Sequence, residues 1–349
     1  MKKRPKNLFL LGAASCLVGL LLLGFVAVDF YRADMRLVVR DTAASSLHQR
    51  DNQLGWMLKP GSTCRHVRPG DFDVVYTVDE NGFRKTREAP SPALTITFFG
   101  DSYTFGHGVG DHETFPAVIA ETYVKPEVRV RNAGVEGYGI VQMYQWFLNE
   151  LDHVKPGDVV AFTPTASDIQ RTIRDFVFPY ACAFRRGENQ DPIEYFPVYE
   201  NGVVTSVALE RTLWHKLKLL ALTAPSTRGA WQRVFRVPSP DSTREAIEIV
   251  CDARARAEAC GAKFILIFLP RISECLKQAY EVDVSGFALH DIMGDFPKDA
   301  DALRRLRFNK DSHWNAEGHR VAAAAIVQAL VEEACLDEAL LADSPRTAR

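Results

Sequence analysis

Ala93-Leu94-Thr95-Ile96-Thr97-Phe98-Phe99-Gly100-Asp101-Ser102-Tyr103-Thr104-Phe105-Gly106 is the stretch on which the fold turns. Its first half, Leu94 to Phe99, is a short apolar run of the length and β-branched, aromatic content of a buried strand, and Gly100 then lets the chain turn. From here short apolar strands alternate with amphipathic helices, the pattern of a parallel α/β sheet covered on both faces. The pattern predicts a helix at His112 to Tyr123, a strand at Val128 to Arg131, a helix at Tyr138 to Leu151 and a third strand at Asp158 to Thr163. Farther on, Ser242 to Ala259 reads as a long helix capped by Asp241 or Ser242, and Lys263 to Leu269 as a very apolar strand. Ala316 to Ala334 closes the domain as a helix, and Ala339 to Arg349 reads as a frayed tail.

Two segments depart from this rhythm. Between Arg171 and Pro240, Ile193 to Val198 and Val203 to Val207 flank the turn signal Glu200-Asn201-Gly202, a hairpin pattern, and Leu209 to Leu222 follows as an amphipathic helix. This insertion into a domain spanning 93–338 is placed either to cap a pocket at the strand ends or to pack on the sheet as an ornament. Upstream, Tyr31 to Gln53 is polar enough for a solvated stalk. Asp73 to Asp79 then alternates like a strand and Asn81-Gly82 marks a turn, so 31–92 is expected as a stalk and a small β-rich extension.

The N-terminus differs most from the rest of the chain. Lys2, Lys3, Arg4 and Lys6 precede an almost uncharged apolar stretch from Leu8 to Val28. A bilayer-spanning helix needs about 20 apolar residues, and a basic cluster stays on the cytoplasmic side. The sequence therefore predicts a short cytoplasmic tail (1–6), one N-terminal transmembrane helix (7–30) and a C-terminal domain on the non-cytoplasmic side, periplasmic or extracellular. The rival is a cleaved signal peptide, but that has an apolar core of about 7 to 15 residues and needs a small-x-small cleavage site, which is not apparent here. Cys16, after Ala13-Ala14-Ser15, lies inside the apolar run and reads as a membrane-embedded cysteine rather than a lipidation site.

The 349 residues suffice for one large domain with an appendage, and 47% hydrophobic content supplies an ordinary core. A net charge of -2, with both signs mixed along the chain, gives no basic stripe and excludes nucleic acid as a partner. Cys64, Cys182, Cys251, Cys260, Cys275 and Cys335 would lie in a disulfide-permissive compartment, with connectivity that sequence does not disclose. Cys251 and Cys335, in helix-like segments, are expected as buried thiols. No metal site is expected, since no Cys-x-x-Cys or His-x-His spacing occurs. Gly106-His107-Gly108-Val109-Gly110 is not a dinucleotide loop, because Asp111 stands where the third glycine should fall. No cofactor is called for.

The chemistry rests on two separated motifs, Gly100-Asp101-Ser102 after the first strand and Asp311-Ser312-His313-Trp314-Asn315 before the last helix. A serine, a histidine and an aspartate are the minimum set for nucleophilic acyl transfer: the imidazole takes the hydroxyl proton and the carboxylate holds the imidazole in the right tautomer. Ser102 is the candidate nucleophile, His313 the base and Asp311 its orienting acid. Asp101 is expected as a helix cap, and His107, His112 and His290 as structural residues.

Phe98 to Gly106 resembles the first block of the SGNH/GDSL hydrolase superfamily, Asn132-Ala133-Gly134-Val135 the second, and Asp311-Ser312-His313 the last, in the superfamily's order and at strand ends. The resemblance spans Ala93 to Ala334. It implies a three-layer α/β/α sandwich with a parallel, flavodoxin-like sheet, and an oxyanion hole built from the N–H groups of Ser102 and Gly134. Many members place two residues between the aspartate and histidine of the last block, whereas only Ser312 intervenes here. After the third strand the superfamily usually has Asn-Asp, the Asn donating to the oxyanion; this chain has Ser167-Asp168, and the shorter Ser167 hydroxyl takes that place.

The resemblance implies an acyl-enzyme on Ser102. Water as acceptor gives an esterase for O-acyl, first of all acetyl, esters of an envelope or exported polysaccharide. A sugar hydroxyl as acceptor gives an O-acetyltransferase. The reading of a different class is a non-catalytic anchored module that binds glycan or a partner membrane protein. The expected partners are therefore an acyl ester of a carbohydrate and, through the N-terminal helix, the membrane.

Overall fold

The computed structural model describes residues 47–172, 185–186, 191–192, 195–200, 203–208, 240–280 and 283–343. All of them belong to one compact unit, Ala43–Glu210 with Pro238–Arg349. The expected anchor at 7–30, the helix at Leu209 to Leu222, Cys16, Cys182 and the end of the tail lie outside the described residues. Among the described residues no helix is long and apolar enough to cross a membrane.

Four short strands come first: β1 His48–Asp51, β2 Gly55–Leu58, β3 Thr63–Arg68 and β4 Phe72–Thr77, paired antiparallel as two hairpins. The main sheet uses β5 Leu94–Gly100, β6 Val128–Gly134 and β7 Val159–Thr163. Short β8 Arg185–Arg186 and β9 Asp191–Pro192 pair with each other. The expected hairpin in the insertion forms as β10 Tyr195–Glu200 and β11 Val203–Ala208, with Glu200 opposite Val203. β12 Lys263–Phe268 and the two-residue β13 His290–Asp291 complete the set. The helices are α1 Ser102–Phe105, α2 Phe115–Val118, α3 Ile140–Glu150, α4 Ala166–Gln170, α5 Pro240–Ala259, α6 Ile272–Lys277, α7 Ala300–Arg305 and α8 Ala316–Glu332.

The main sheet has five parallel strands in the order β13-β12-β7-β5-β6. Numbered within the sheet this is 2-1-3-4-5, the flavodoxin-like order, whose switch point lies beside β5. Central strands covered on both faces must be apolar at consecutive positions, and β5 is buried at every residue but Thr95. Successive side chains go to opposite faces. Phe99, Phe162 and Phe268 join α3 and α5 in one core, while Ile96, Phe98, Ala161 and Ile267 join α2 and α8 in the other. This is the three-layer α/β/α arrangement. In register, Gly100 sits between Gly134 of β6 and Thr163 of β7, so three strands end level around the turn that follows β5.

Three expectations need correction. The helix expected at His112 to Tyr123 is a single turn, α2, followed by a wider turn at Ile119–Tyr123, because Thr114 restarts the helix by accepting from Ala117 N–H at 3.2 Å with Pro116 in the first turn. The end of the supposed solvated stalk is not solvated: Leu47 and His48 are buried, and the β1–β2 hairpin sinks Leu47, Trp56 and Leu58 into the core that holds Tyr138. Trp56 Nε1 donates to Glu136 O at 3.0 Å and Tyr138 Oη to Trp56 O at 2.6 Å, which fastens that hairpin to the main domain. Cys251, finally, is exposed on α5, whereas Cys335 is buried as expected; Cys64, Cys251, Cys260, Cys275 and Cys335 are all free thiols.

His319 on α8 is buried and its Nδ1 accepts from Phe115 N–H at 3.2 Å, which requires an unprotonated nitrogen there. Burial, with the charges of Arg84 and His313, pushes its pKa down to about 3. Between that value and about 6.5 the unfolded chain binds a proton that the folded one refuses, so stability falls as pH falls through this window, by up to about 1.4 kcal/mol per pH unit. Urea unfolding of the parent and His319→Gln from pH 7 to pH 4 should give a shallower acid loss in the variant. Equal slopes would contradict the neutral buried imidazole.

Candidate active site

The turn after β5 puts a serine at the level edge of the sheet. Asp101 caps α1 as expected, its Oδ1 accepting from Tyr103 N–H at 2.8 Å, and Ser102 is the first helical residue. Ser102 Oγ lies 2.8 Å from His313 Nε2, and His313 Nδ1 lies 2.5 Å from Asp311 Oδ1. The single-residue spacing between Asp311 and His313 works because the carboxylate also accepts the His313 backbone N–H at 3.0 Å, closing a tight local turn. Burial would raise the Asp311 pKa, yet the hydrogen bonds and charge of His313, helped by His107, hold it well below the usual carboxylate range. The acid is therefore ionised where it must orient an imidazole.

The loop carrying Asp311 and His313 is fixed from both ends. Asn315 caps α8, accepting from Gly318 N–H at 3.1 Å, and its Nδ2 donates to Arg305 O at 2.6 Å; the adjacent Trp314 is fully buried. From the N-terminal hairpin, Arg68 donates through Nη1 to Asp311 Oδ2, and Asp71 Oδ1 accepts from the N–H groups of Asn309 and Lys310 at 3.0 and 3.1 Å. The β3–β4 hairpin is therefore part of the site. Tyr103 and His107 lie against the His313 ring, with centroids at 4.9 and 4.6 Å, and the Tyr103 hydroxyl donates to Ser312 O at 3.0 Å.

Arg84 holds the nucleophile segment from beneath. Its guanidinium is completely buried and donates to Asp111 Oδ1 at 2.9 Å, Phe105 O at 3.1 Å and Val109 O at 3.0 Å. The rings of Tyr76 and Phe105 face the charge at 4.3 and 4.4 Å. Burial lowers its pKa, while Asp111 opposes the shift. Sequence reasoning passed over Arg84 and Arg68 and took His107 as structural, because nothing local marks an arginine or histidine whose partner lies tens of residues away.

Of the three expected oxyanion donors, one is already committed within the protein and a second is hydrogen-bonded to a neighbouring hydroxyl. Gly134 N–H donates to Asn132 Oδ1 at 3.0 Å. A Cβ on Gly134 would lie 2.1 Å from Phe105 N, so glycine is needed there to let α1 approach β6. The Ser167 hydroxyl is 2.8 Å from Thr165 Oγ1, which itself donates to Asp168 Oδ2 at 3.1 Å. Either hydroxyl of the Ser167–Thr165 pair can be the donor. The Ser102 N–H, at the first position of a helix, has no intrahelical acceptor. Beside Ser167, the buried Asp168 is 2.5 Å from Arg171 Nη1, and Asp101 Oδ2 lies 3.7 Å from the same nitrogen. Burial and the Asp101 carboxylate raise the Asp168 pKa, with Arg171 and Thr165 opposing. His107, Asp311 and His313 bring potential ligand atoms within 4.8 Å of one another. In the same cluster His107 Nδ1 bonds to Glu136, Asp311 Oδ2 accepts from Arg68 and His313 Nε2 bonds to Ser102.

No protein-family model matches the sequence, and no curated protein matches it. Among solved structures, a member of the lipolytic G-D-S-L family from Veillonella parvula is 15% identical over 68% of this chain and 99% of that one, with a TM-score of 0.31. An alpha/beta hydrolase enzyme from the metagenome of Lake Arreo, Spain, is 16% identical over 71% and 98%, with a TM-score of 0.38. A catalytic mutant of Axe2, an acetylxylan esterase from Geobacillus stearothermophilus, is 14% identical over 69% and 95%, with a TM-score of 0.29. At that distance it is the side chains themselves that define the chemistry.

Replacing Arg84 by Met should cost about 3 kcal/mol or more, because it leaves Asp111 and buried carbonyls without their donor. Denaturant unfolding measures this directly. A loss below about 1 kcal/mol would mean that water or a relaxed loop satisfies those groups and that Arg84 is not the brace described.

Proposed function

We propose that the protein is a serine esterase that works through an acyl-enzyme. The observation that carries this reading is the continuous chain Ser102 Oγ to His313 Nε2 at 2.8 Å and His313 Nδ1 to Asp311 Oδ1 at 2.5 Å, at the carboxyl edge of the sheet. His313 takes the Ser102 proton as Oγ attacks the ester carbonyl, and Asp311 stabilises the imidazolium that forms. The tetrahedral oxyanion faces the Ser102 N–H at the start of α1. Collapse expels the alcohol, protonated by His313, and leaves the acyl group on Ser102. Water deprotonated by His313 then releases the acid and restores the serine.

We further propose O-acetyl esters of an envelope or exported polysaccharide as substrates, with the protein anchored by its N-terminal apolar segment and its catalytic domain outside the cytoplasm. The basic cluster at Lys2 to Lys6 ahead of Leu8 to Val28 supports that placement. A sugar hydroxyl replacing water in the second step makes the same site an O-acetyltransferase.

The test is turnover of an acetyl ester by the full-length chain in detergent, with and without an oligosaccharide acceptor. Ser102→Ala should lower turnover roughly 10⁶-fold, and Asp311→Asn about 10⁴-fold. Acetate release indifferent to the acceptor identifies an esterase; acetylated sugar formed at the expense of acetate identifies a transferase. Turnover unchanged in Ser102→Ala would remove Ser102 as nucleophile.

A further inference from the structure

We propose that Glu136 and His107 form a second carboxylate–imidazole pair that acts through His313, keeping a cation against the His313 ring and so favouring the free-base form that the reaction needs. The inference rests on the reading of Ser102 and His313 given above. Glu136 is two residues past the end of β6, and His107 is two residues past the end of α1. Neither takes part in the bond-making steps, yet they meet beside them.

The geometry is that of a relay turned toward the base. His107 Nδ1 bonds to Glu136 Oε1, and His107 Nε2 points at Asp311 Oδ2, 4.0 Å away. The His107 ring lies against that of His313, with centroids 4.6 Å apart and planes tilted by 38°. Glu136 is buried, and its second oxygen is 3.7 Å from His48 Nε2 of β1. On its remaining side His107 meets His66, ring centroid 5.2 Å away, and Phe72. His66 is fixed by Tyr76, whose hydroxyl accepts from Gly108 N–H at 2.8 Å and is hydrogen-bonded to His66 Nδ1 at 2.9 Å. The charged or titratable groups facing the pair are therefore His48, His66, Tyr76, Arg68, Arg84, Asp311 and His313.

Within this group His107 is the member poised to carry a proton. Burial alone would lower its pKa, but the carboxylates of Glu136 and Asp311 outweigh burial and raise it. A cation at His107 opposes a second cation on the ring stacked against it. Asp311, with Arg68 and His107 on Oδ2 and His313 on Oδ1, stays ionised throughout.

The experiment is the pH dependence of Ser102 acylation by a fluorophosphonate, read as the rate of labelling in the full-length protein in detergent. His107→Gln and Glu136→Gln should each move the acid limb to higher pH by about one unit, while rates on the high-pH plateau stay within a few-fold of the parent. An unmoved acid limb in both folded variants overturns the proposal, because a residue that only packs would change stability and not this limb. Should either variant fail to fold, ¹⁵N resonances of the histidine rings in the parent decide: His107 still protonated at a pH where His313 is neutral supports the pair, and the reverse order overturns it. A parent protein that never reacts at Ser102 counts against the esterase reading instead, and the same ¹⁵N titration still judges the pair.

Discussion

A buried guanidinium holds this site together. Arg84 is out of water altogether, and a charge so placed is tolerable only if its donors find acceptors. The acceptors it finds are Asp111 and the carbonyls of Phe105 and Val109, which belong to the segment that runs on from Ser102. Those carbonyls would otherwise be buried without partners, so cation and loop need each other. Arg84 itself is tied to β6 through its N–H to Asn132 O at 3.0 Å, and Asn132 Nδ2 returns to Thr104 O at 2.9 Å. The nucleophile turn is thereby clamped between the N-terminal segment and the second strand of the sheet.

The base arrives from the other end of the chain and is fitted to this clamped turn. Tyr103 within α1 and His107 just past its end supply ring contacts for His313, and the Tyr103 hydroxyl anchors the base's own loop at Ser312. Asp311 is reached by Arg68 from the β3–β4 hairpin, and Asp71 binds two consecutive N–H groups of the same loop. Site geometry and N-terminal hairpins are one construction. The sheet supplies only the level edge at Gly100, Gly134 and Thr163; side chains from outside the sheet set the angles.

What the sequence disclosed and what it withheld follow from the range of the interactions. The four long strands and helices α3, α5 and α8 were legible, because apolar spacing is a local signal. The fifth strand, His290–Asp291, was missed: two residues carry no periodicity, and only pairing with Ile267 and Phe268 makes them a strand. Ser102, His313 and Asp311 stood out by their motifs, and the structure places their side chains in contact. Gly134 and Ser167 were assigned by position alone, and their hydrogen bonds go elsewhere, to Asn132 and Thr165. Asp111 served in the sequence only to reject a dinucleotide loop, whereas its place in the fold is to neutralise Arg84. His107 looked structural for want of a partner nearby in sequence; Glu136, at the end of the next strand, is that partner.

The central claim is that Ser102 is a nucleophile activated through His313, and the most direct measurement is the site of covalent attachment. The full-length protein would be treated with a fluorophosphonate at neutral pH and digested, and the modified peptide located by mass spectrometry. The account predicts one stoichiometric adduct, on Ser102, that disappears in His313→Gln although that variant keeps the fold. An adduct on another residue, or one on Ser102 that forms equally fast without His313, would contradict it.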